Sequence, residues 1–124
     1  MNKKGLLLVE DDREFAGELL ECLGSLGIAC HYAEDVAKAR NIFGENPNIS
    51  IILMDRDLKG GGDTLVLTQE FLASRKVFII AISNSEQGRK ELVDAGCSCQ
   101  CSKDKIFNLL DLIQKNTEEK GEAT

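Results

Sequence analysis

Proline is almost missing from this sequence: Pro47 is the single one in 124 residues, and tryptophan does not occur at all. A chain with one proline, eleven glycines and 43% hydrophobic residues is neither a proline-rich linker nor a collagen-like or disordered segment. Its composition is that of an ordinary globular protein, with room for one domain and one core. Basic charge is also scarce. The formal net charge is −6 and no cluster of Lys and Arg occurs, which argues against direct nucleic-acid binding and against attachment to an anionic membrane surface. Long apolar runs are lacking too. Leu6-Leu7-Leu8-Val9 is stopped at once by Glu10, Asp11 and Asp12; a bilayer span needs about 20 apolar residues, and the run is too short for a secretory core as well. The expected location is therefore the cytoplasm. Five cysteines, an odd number, fit reduced thiols better than a disulfide framework.

What is present is an alternation of short apolar runs with longer helical patterns, the mark of βα units that feed a parallel sheet. The runs 5–10, 28–32, 49–54, 77–82 and 97–102 read as five strands. Between the first two, Phe15, Leu19, Cys22, Leu23 and Leu26 recur with helical period, and Gly27 provides the stop. Asp35 is placed to cap a second helix that buries Val36, Ala39, Ile42 and Phe43, closed by Asn46-Pro47-Asn48. Asp63 can cap a third helix over about 63–74. The fourth, 86–95, offers only Leu92, Val93 and Ala95 to a core and should be the least firmly anchored. Asp104 is positioned to cap a last helix carrying Ile106, Leu109, Leu110 and Ile113, ahead of a polar tail at 117–124. Five such units predict a flavodoxin-like (βα)5 three-layer sandwich with a parallel sheet. The order 2-1-3-4-5 follows by analogy with that fold. All 124 residues are expected to form one domain, with its core at about 5–116.

In sheets of this kind ligands gather at the carboxyl ends of the strands. Here those ends carry Glu10-Asp11-Asp12, Asp55-Arg56-Asp57, Ser83-Asn84-Ser85 and Ser102-Lys103-Asp104. Glu10, Asp11 and Asp55 together would crowd three negative charges, which is unfavourable unless a cation joins them. All-oxygen ligands and retained water suit Mg²⁺. With Mg²⁺ and the Lys103 ammonium the cluster is neutral, and it can then receive a phosphoryl dianion. A carboxylate in such a setting can act as nucleophile and form an acyl phosphate. Ser83 is placed to hydrogen-bond a phosphoryl oxygen.

Leu-Val-Glu-Asp-Asp at 8–12, Leu-Met-Asp-Arg-Asp-Leu at 53–58, Ala-Ile-Ser-Asn at 81–84 and Ala-Gly at 95–96 followed by Ser-Lys at 102–103 resemble the response-regulator receiver family. The resemblance runs from residue 5 to about 116. It implies that Glu10 and Asp11 are the acidic metal pair and that Asp55 is the phosphoacceptor. Asp57 would offer a backbone carbonyl to Mg²⁺, Ser83 would be the switch hydroxyl, and Lys103 the lysine that contacts the phosphoryl group. It further implies a signalling switch of two-component or phosphorelay type, not an enzyme that turns over a substrate. A sensor histidine kinase, a histidine phosphotransfer protein or a small phosphodonor would phosphorylate it. Its output would be an altered protein-binding face read by a downstream effector. Homodimerisation through the fourth helix, fifth strand and fifth helix is a further implied possibility. With no output domain within these residues, such a chain acts by protein contact or is a receiver cut from a longer chain.

Three positions depart from the family pattern. Asp104 follows Lys103 where the family has proline on a cis peptide, a geometry that costs a non-proline residue about 3–4 kcal/mol; the bond is cis at that cost, or trans with a different approach of the lysine. Gln100 replaces the switch aromatic. Lys59 and three glycines replace a stiffer loop, which should make that loop mobile. Plainer roles compete at each position: Asp55 as an incidental loop acid, Glu10 and Asp11 as favourable charges at a helix N-terminus, Ser83 as a helix cap, Lys103 as a surface lysine. The Asp57 side chain either shapes the water that hydrolyses phosphoaspartate or does nothing. Cys97, Cys99 and Cys101 would share one strand face about 7 Å apart, too far for a tetrahedral thiolate site, so they read as small apolar residues. His31 is given no role. Two other functions fit parts of the pattern. A haloacid-dehalogenase-like phosphatase would use Asp55 as nucleophile, although Lys59 stands where that family has Thr or Val and its acidic motif follows the lysine. A pseudo-receiver would bind partners without phosphorylation.

Overall fold

A computed structural model of the chain describes residues 5–58 and 60–110. Lys59, Ile113 and the 117–124 tail lie outside them. Five parallel strands, β1 (Gly5–Val9), β2 (Cys30–Ala33), β3 (Ile49–Asp55), β4 (Phe78–Ile82) and β5 (Cys99–Cys101), form one sheet in the order β2-β1-β3-β4-β5. This is the anticipated topology. Four α-helices are described: α1 (Arg13–Ser25), α2 (Val36–Glu45), α3 (Thr64–Ser74) and α4 (Glu86–Asp94).

The apolar strands alternate between two cores because successive side chains leave opposite faces. Leu7, Val9, Ile52, Met54, Ile79 and Ala81 pack beneath α2, α3 and α4. Leu6, Leu8, Ile51, Leu53, Ile80 and Ile82 pack beneath α1, through Ala16, Leu19 and Leu23, and beneath Ile106. Because both faces are covered, β1 and β3 are buried nearly throughout. On the first face α2 and α3 are joined by a stack of Phe43 on Phe71, with ring centroids 4.0 Å apart. The Arg75 guanidinium lies 3.6 Å above the Phe43 ring, and Arg40 forms a fork with Glu70 at 2.8 and 2.9 Å.

Local signals fix the helix ends. Asp35 accepts from the Lys38 amide and Asp63 from the Leu65 amide, the caps read from the sequence. Asp12 caps α1, accepting from the Glu14 and Phe15 amides. Ser85, not Ser83, caps α4 through the Gly88 amide. Helices α1 and α4 end alike. Gly27 (φ +77°) and Gly96 (φ +124°) take left-handed backbone, and the next amide, of Ile28 or Cys97, turns back to the carbonyl of Leu23 or Leu92.

That motif corrects two strand boundaries. Ile28 and Cys97 are buried as the apolar partners of the helix stops, so β2 begins at Cys30 and β5 at Cys99. Cys97 consequently packs in the core under α3 and α4, while Cys99 and Cys101 face the opposite core. The three thiols do not share a face, and among the described residues they form no metal-binding group. The expected Asp104 cap is also corrected: a short 3-10 turn, Ile106–Leu109, follows with Lys105 in the cap position and no side-chain cap. In the glycine loop, Gly62 (φ +91°) lies so close to α2 that a Cβ would meet Val36 Cγ2 at 2.6 Å.

Candidate functional site

Four strand ends deliver the site. Glu10 is the first residue past β1, Asp55 the last of β3, Ser83 the first past β4, and Lys103 the second past β5. A cleft of about 720 Å³ opens along this rim, lined among others by Asp11, Asp55, Asp57, Ser83 and Lys103. The predicted site residues are therefore brought together, with Glu10 sealed behind the cleft wall at 0% exposure.

Lys103 is the hub. Its Nζ lies 2.9 and 3.0 Å from the two oxygens of Glu10 and 3.7 Å from Asp55 Oδ2. Burial works to lower the lysine's pKa, but the hydrogen bond to Glu10 and the charges of Asp55 and Glu10 outweigh it and raise it. The lysine is no ordinary surface residue. Its peptide bond to Asp104 is trans, as are all those described, so the ammonium enters the cluster without the cis linkage expected of the proline-bearing pattern.

Asp55 is 4% exposed. Burial first, and the neighbouring Glu10 charge second, push its pKa up to about 7, against the pull of Lys103. One lysine thus does not compensate the acids it touches. Carboxylate oxygens of Glu10, Asp11 and Asp55 all lie within 4.8 Å of one another. Glu10 Oε2 accepts from the Asp12 amide and from Lys103. Oε1 meets the same ammonium at 2.9 Å and has no other partner, so one lysine serves both oxygens of this buried carboxylate. Compact all-oxygen donors and surplus negative charge, three carboxylates against one lysine, together fit a small hard cation such as Mg²⁺.

The remaining residues are less enclosed. Asp57 lines the cleft but its side chain is 84% exposed. Ser83 is buried, and its Oγ accepts from the Ser85 amide at 3.0 Å, which leaves its own hydrogen to donate elsewhere. Ser85 caps α4, which removes the cap role considered for Ser83; Asp12 caps α1, next to Glu10 and Asp11, whose favourable charge at that helix start can coexist with a role in the cluster. Sequence reading overlooked Asn84, whose Oδ1 accepts from the Lys103 amide at 3.0 Å and ties the loop after β4 to the loop after β5. It also overlooked Arg56. This side chain packs against Gly88 of α4 and donates to Glu91 at 2.7 Å, so it joins the residue after Asp55 to α4. A charged residue directly after a site aspartate was the available signal.

No protein-family model and no curated protein matches the sequence. Solved structures do. A two-component response regulator from Clostridium difficile superposes with a TM-score of 0.79 at 15% identity, over 94% of this chain and 100% of the other. The signal receiver domain of a DNA-binding response regulator from Colwellia psychrerythraea 34H gives 0.80 at 19% identity, over 94% and 99%. The chain has the fold of response-regulator receiver domains. The receiver domain of Ssk1 from Saccharomyces cerevisiae, solved with the histidine phosphotransfer protein Ypd1, superposes at 0.77 and 22% identity, over 94% and 90%. The receiver fold thus accounts for nearly the whole chain. Among the described residues no helix is long and apolar enough to cross a membrane.

Proposed function

We propose that this chain is a phosphoacceptor receiver of a two-component or phosphorelay system, phosphorylated on Asp55 in a Mg²⁺-dependent reaction. One observation carries the reading: Glu10, Asp11, Asp55 and Lys103, from three strand ends, close on one point with an unmet need for positive charge. Glu10, Asp11 and Asp55, with the backbone carbonyl of Asp57, would hold the ion. When bound, Mg²⁺ supplies the charge neutralisation that lets an anionic phosphoryl group approach three carboxylates.

Within that frame an Asp55 carboxylate oxygen attacks phosphorus. The new O–P bond forms as the bond from phosphorus to the donor breaks, and the donor leaves with the bonding pair. Lys103 neutralises a phosphoryl oxygen, and the Ser83 hydroxyl donates to another. Movement of Ser83 toward the phosphoryl group biases the β4–α4 loop and α4 between two arrangements. The donor is a sensor histidine kinase or a histidine phosphotransfer protein, a choice supported by the phosphotransfer partner in the Ssk1 complex. A downstream effector protein reads the altered face in the cytoplasm; the surface around α4 and β5 is also where a homodimer would form. The phosphatase alternative is less well supported, because the acids beside Asp55 come from β1, ahead of the nucleophile.

Mass spectrometry of the intact protein after treatment with Mg²⁺ and acetyl phosphate tests this. One phosphoryl group is expected on the wild type, and none on Asp55→Asn or without Mg²⁺. An unmodified wild type, or an equal adduct on the variant, refutes the assignment.

A further inference from the structure

Ser83 is held from behind. Its amide donates to the Cys101 carbonyl at 3.3 Å, and its carbonyl accepts from Arg89 Nη1 at 2.6 Å. The same guanidinium donates through Nε to Gln100 Oε1 at 3.2 Å. Arg89 stands one helical turn beyond the Ser85 cap, its amide bonded to the Ser85 carbonyl, which places it over the β4–α4 loop. One rigid fork thus spans α4, the loop that carries the switch hydroxyl, and the solvent-exposed middle residue of β5. Both acceptors are uncharged. Arg89 and Gln100 also line a second groove of about 400 Å³, together with Lys105 and Asn108 and with no carboxylate among its lining residues.

We infer that Arg89, with Gln100, is a polar relay that reports the position of Ser83 at the outer edge of the sheet. The inference rests on the phosphoacceptor reading above and deepens it. Bonds from a cation to a carbonyl are short and strong, and the planar fork fixes both acceptors relative to each other. When the Ser83 hydroxyl moves toward a phosphoryl group on Asp55, its own carbonyl moves as well. The guanidinium must then follow or let go. In either case the Gln100 amide loses its present donor geometry, and the groove beside it changes shape and exposed charge. A lysine at position 89 would keep the charge but could not hold both acceptors in one plane.

The experiment uses the full chain, ¹⁵N-labelled, with Mg²⁺ and beryllofluoride as the phosphoryl analogue. In the wild type, the Ser83 backbone amide and the Gln100 side-chain amide should both shift on addition. In Arg89→Gln the Ser83 response should persist while the Gln100 response is lost, and Arg89→Lys should not restore it. Unchanged amide positions in β1 and β3 would show that each variant is folded. In Gln100→Ala the Ser83 response should be that of the wild type. A Gln100 shift of full size in Arg89→Gln overturns the relay. Silence of Ser83 and of the amides around Asp55 in the wild type instead overturns the phosphoacceptor reading, and the relay with it; the two failures are therefore distinct.

Discussion

Strand β3 runs for seven residues, six of them sealed from solvent, between β1 and β4; β5 has three residues, none of them buried. The two strands serve the same cleft in different ways. The middle of the sheet contributes acids that cannot move without disturbing both cores, since Leu53 packs on one face and Met54 on the other directly before Asp55. The β5 side contributes Lys103 and, with the end of β4, a set of individual polar ties: Ser83 to Cys101, Asn84 to Lys103, and Arg89 to Gln100. The neutral ties contribute about 0.5–1.5 kcal/mol each and the Arg89 tie about 1.5–3, whereas every buried aliphatic side chain along β3 contributes about 1.5–3 kcal/mol and is reinforced by its neighbours. The proposed switch would need this division: a charge cluster fixed in advance and a responding loop held by bonds that can exchange.

Truncation at the two places should separate them most widely. Leu53→Ala, in the fully enclosed strand between Leu8 and Ile80, is expected to cost about 3 kcal/mol by urea denaturation, against less than about 1 kcal/mol for Cys101→Ala. Comparable losses at the two sites would abolish the contrast.

The next effect depends on pH. The folded Asp55 carboxyl titrates at about 7, above its ordinary 3.8, because of burial and then of Glu10. Between those values the native state retains a proton that the unfolded chain has released. Stability of the metal-free protein therefore falls as pH rises from about 4 to about 7, and is level beyond. Asp55→Asn removes this penalty, so the variant should exceed the wild type by on the order of 2 kcal/mol at pH 8, with the gain vanishing near pH 4. Saturating Mg²⁺ should stabilise the wild type in preference to the variant and narrow the gap at pH 8. A gain independent of pH would show that the acids are not in electrostatic conflict.

The smallest effect concerns one tie. Asn84→Ala should cost only about 0.5 kcal/mol of global stability but should speed hydrogen exchange at the Lys103 amide, with amides in β3 unaltered. Uniformly faster exchange would mean that edge and centre open together.

Much of this architecture was legible from residue order. The unbroken apolar runs of β3 and β4 can only be strands covered on both sides, and Asp35, Asp63 and Gly27 mark helix ends by chemistry that needs no tertiary partner. The convergence of Glu10, Asp11, Asp55, Ser83 and Lys103 followed from their places just past those runs. What escaped had a shared cause. Ile28 and Cys97 look like first strand residues, but an apolar residue after a left-handed glycine can pack back onto the helix it terminates, and a linear pattern does not distinguish the two. Ser83 and Ser85 are equally good caps on paper; the turn in which Ser83 accepts from Ser85 settles which of them is free. Arg89 and Asn84 act across strands, through contacts that only the folded chain creates.

The joined pair α2–α3 has its own bearing on the proposed signalling role. With Phe43 lying flat on Phe71, Arg75 clamped over that stack, and Arg40 gripping Glu70 further along, these helices form a single slab against one side of the sheet. Under the proposed function, a disturbance born at the cleft would meet more resistance in that direction than toward the opposite border, much as a door swings away from its hinge post, and a protein that reads this chain would gain the most information by gripping the free side.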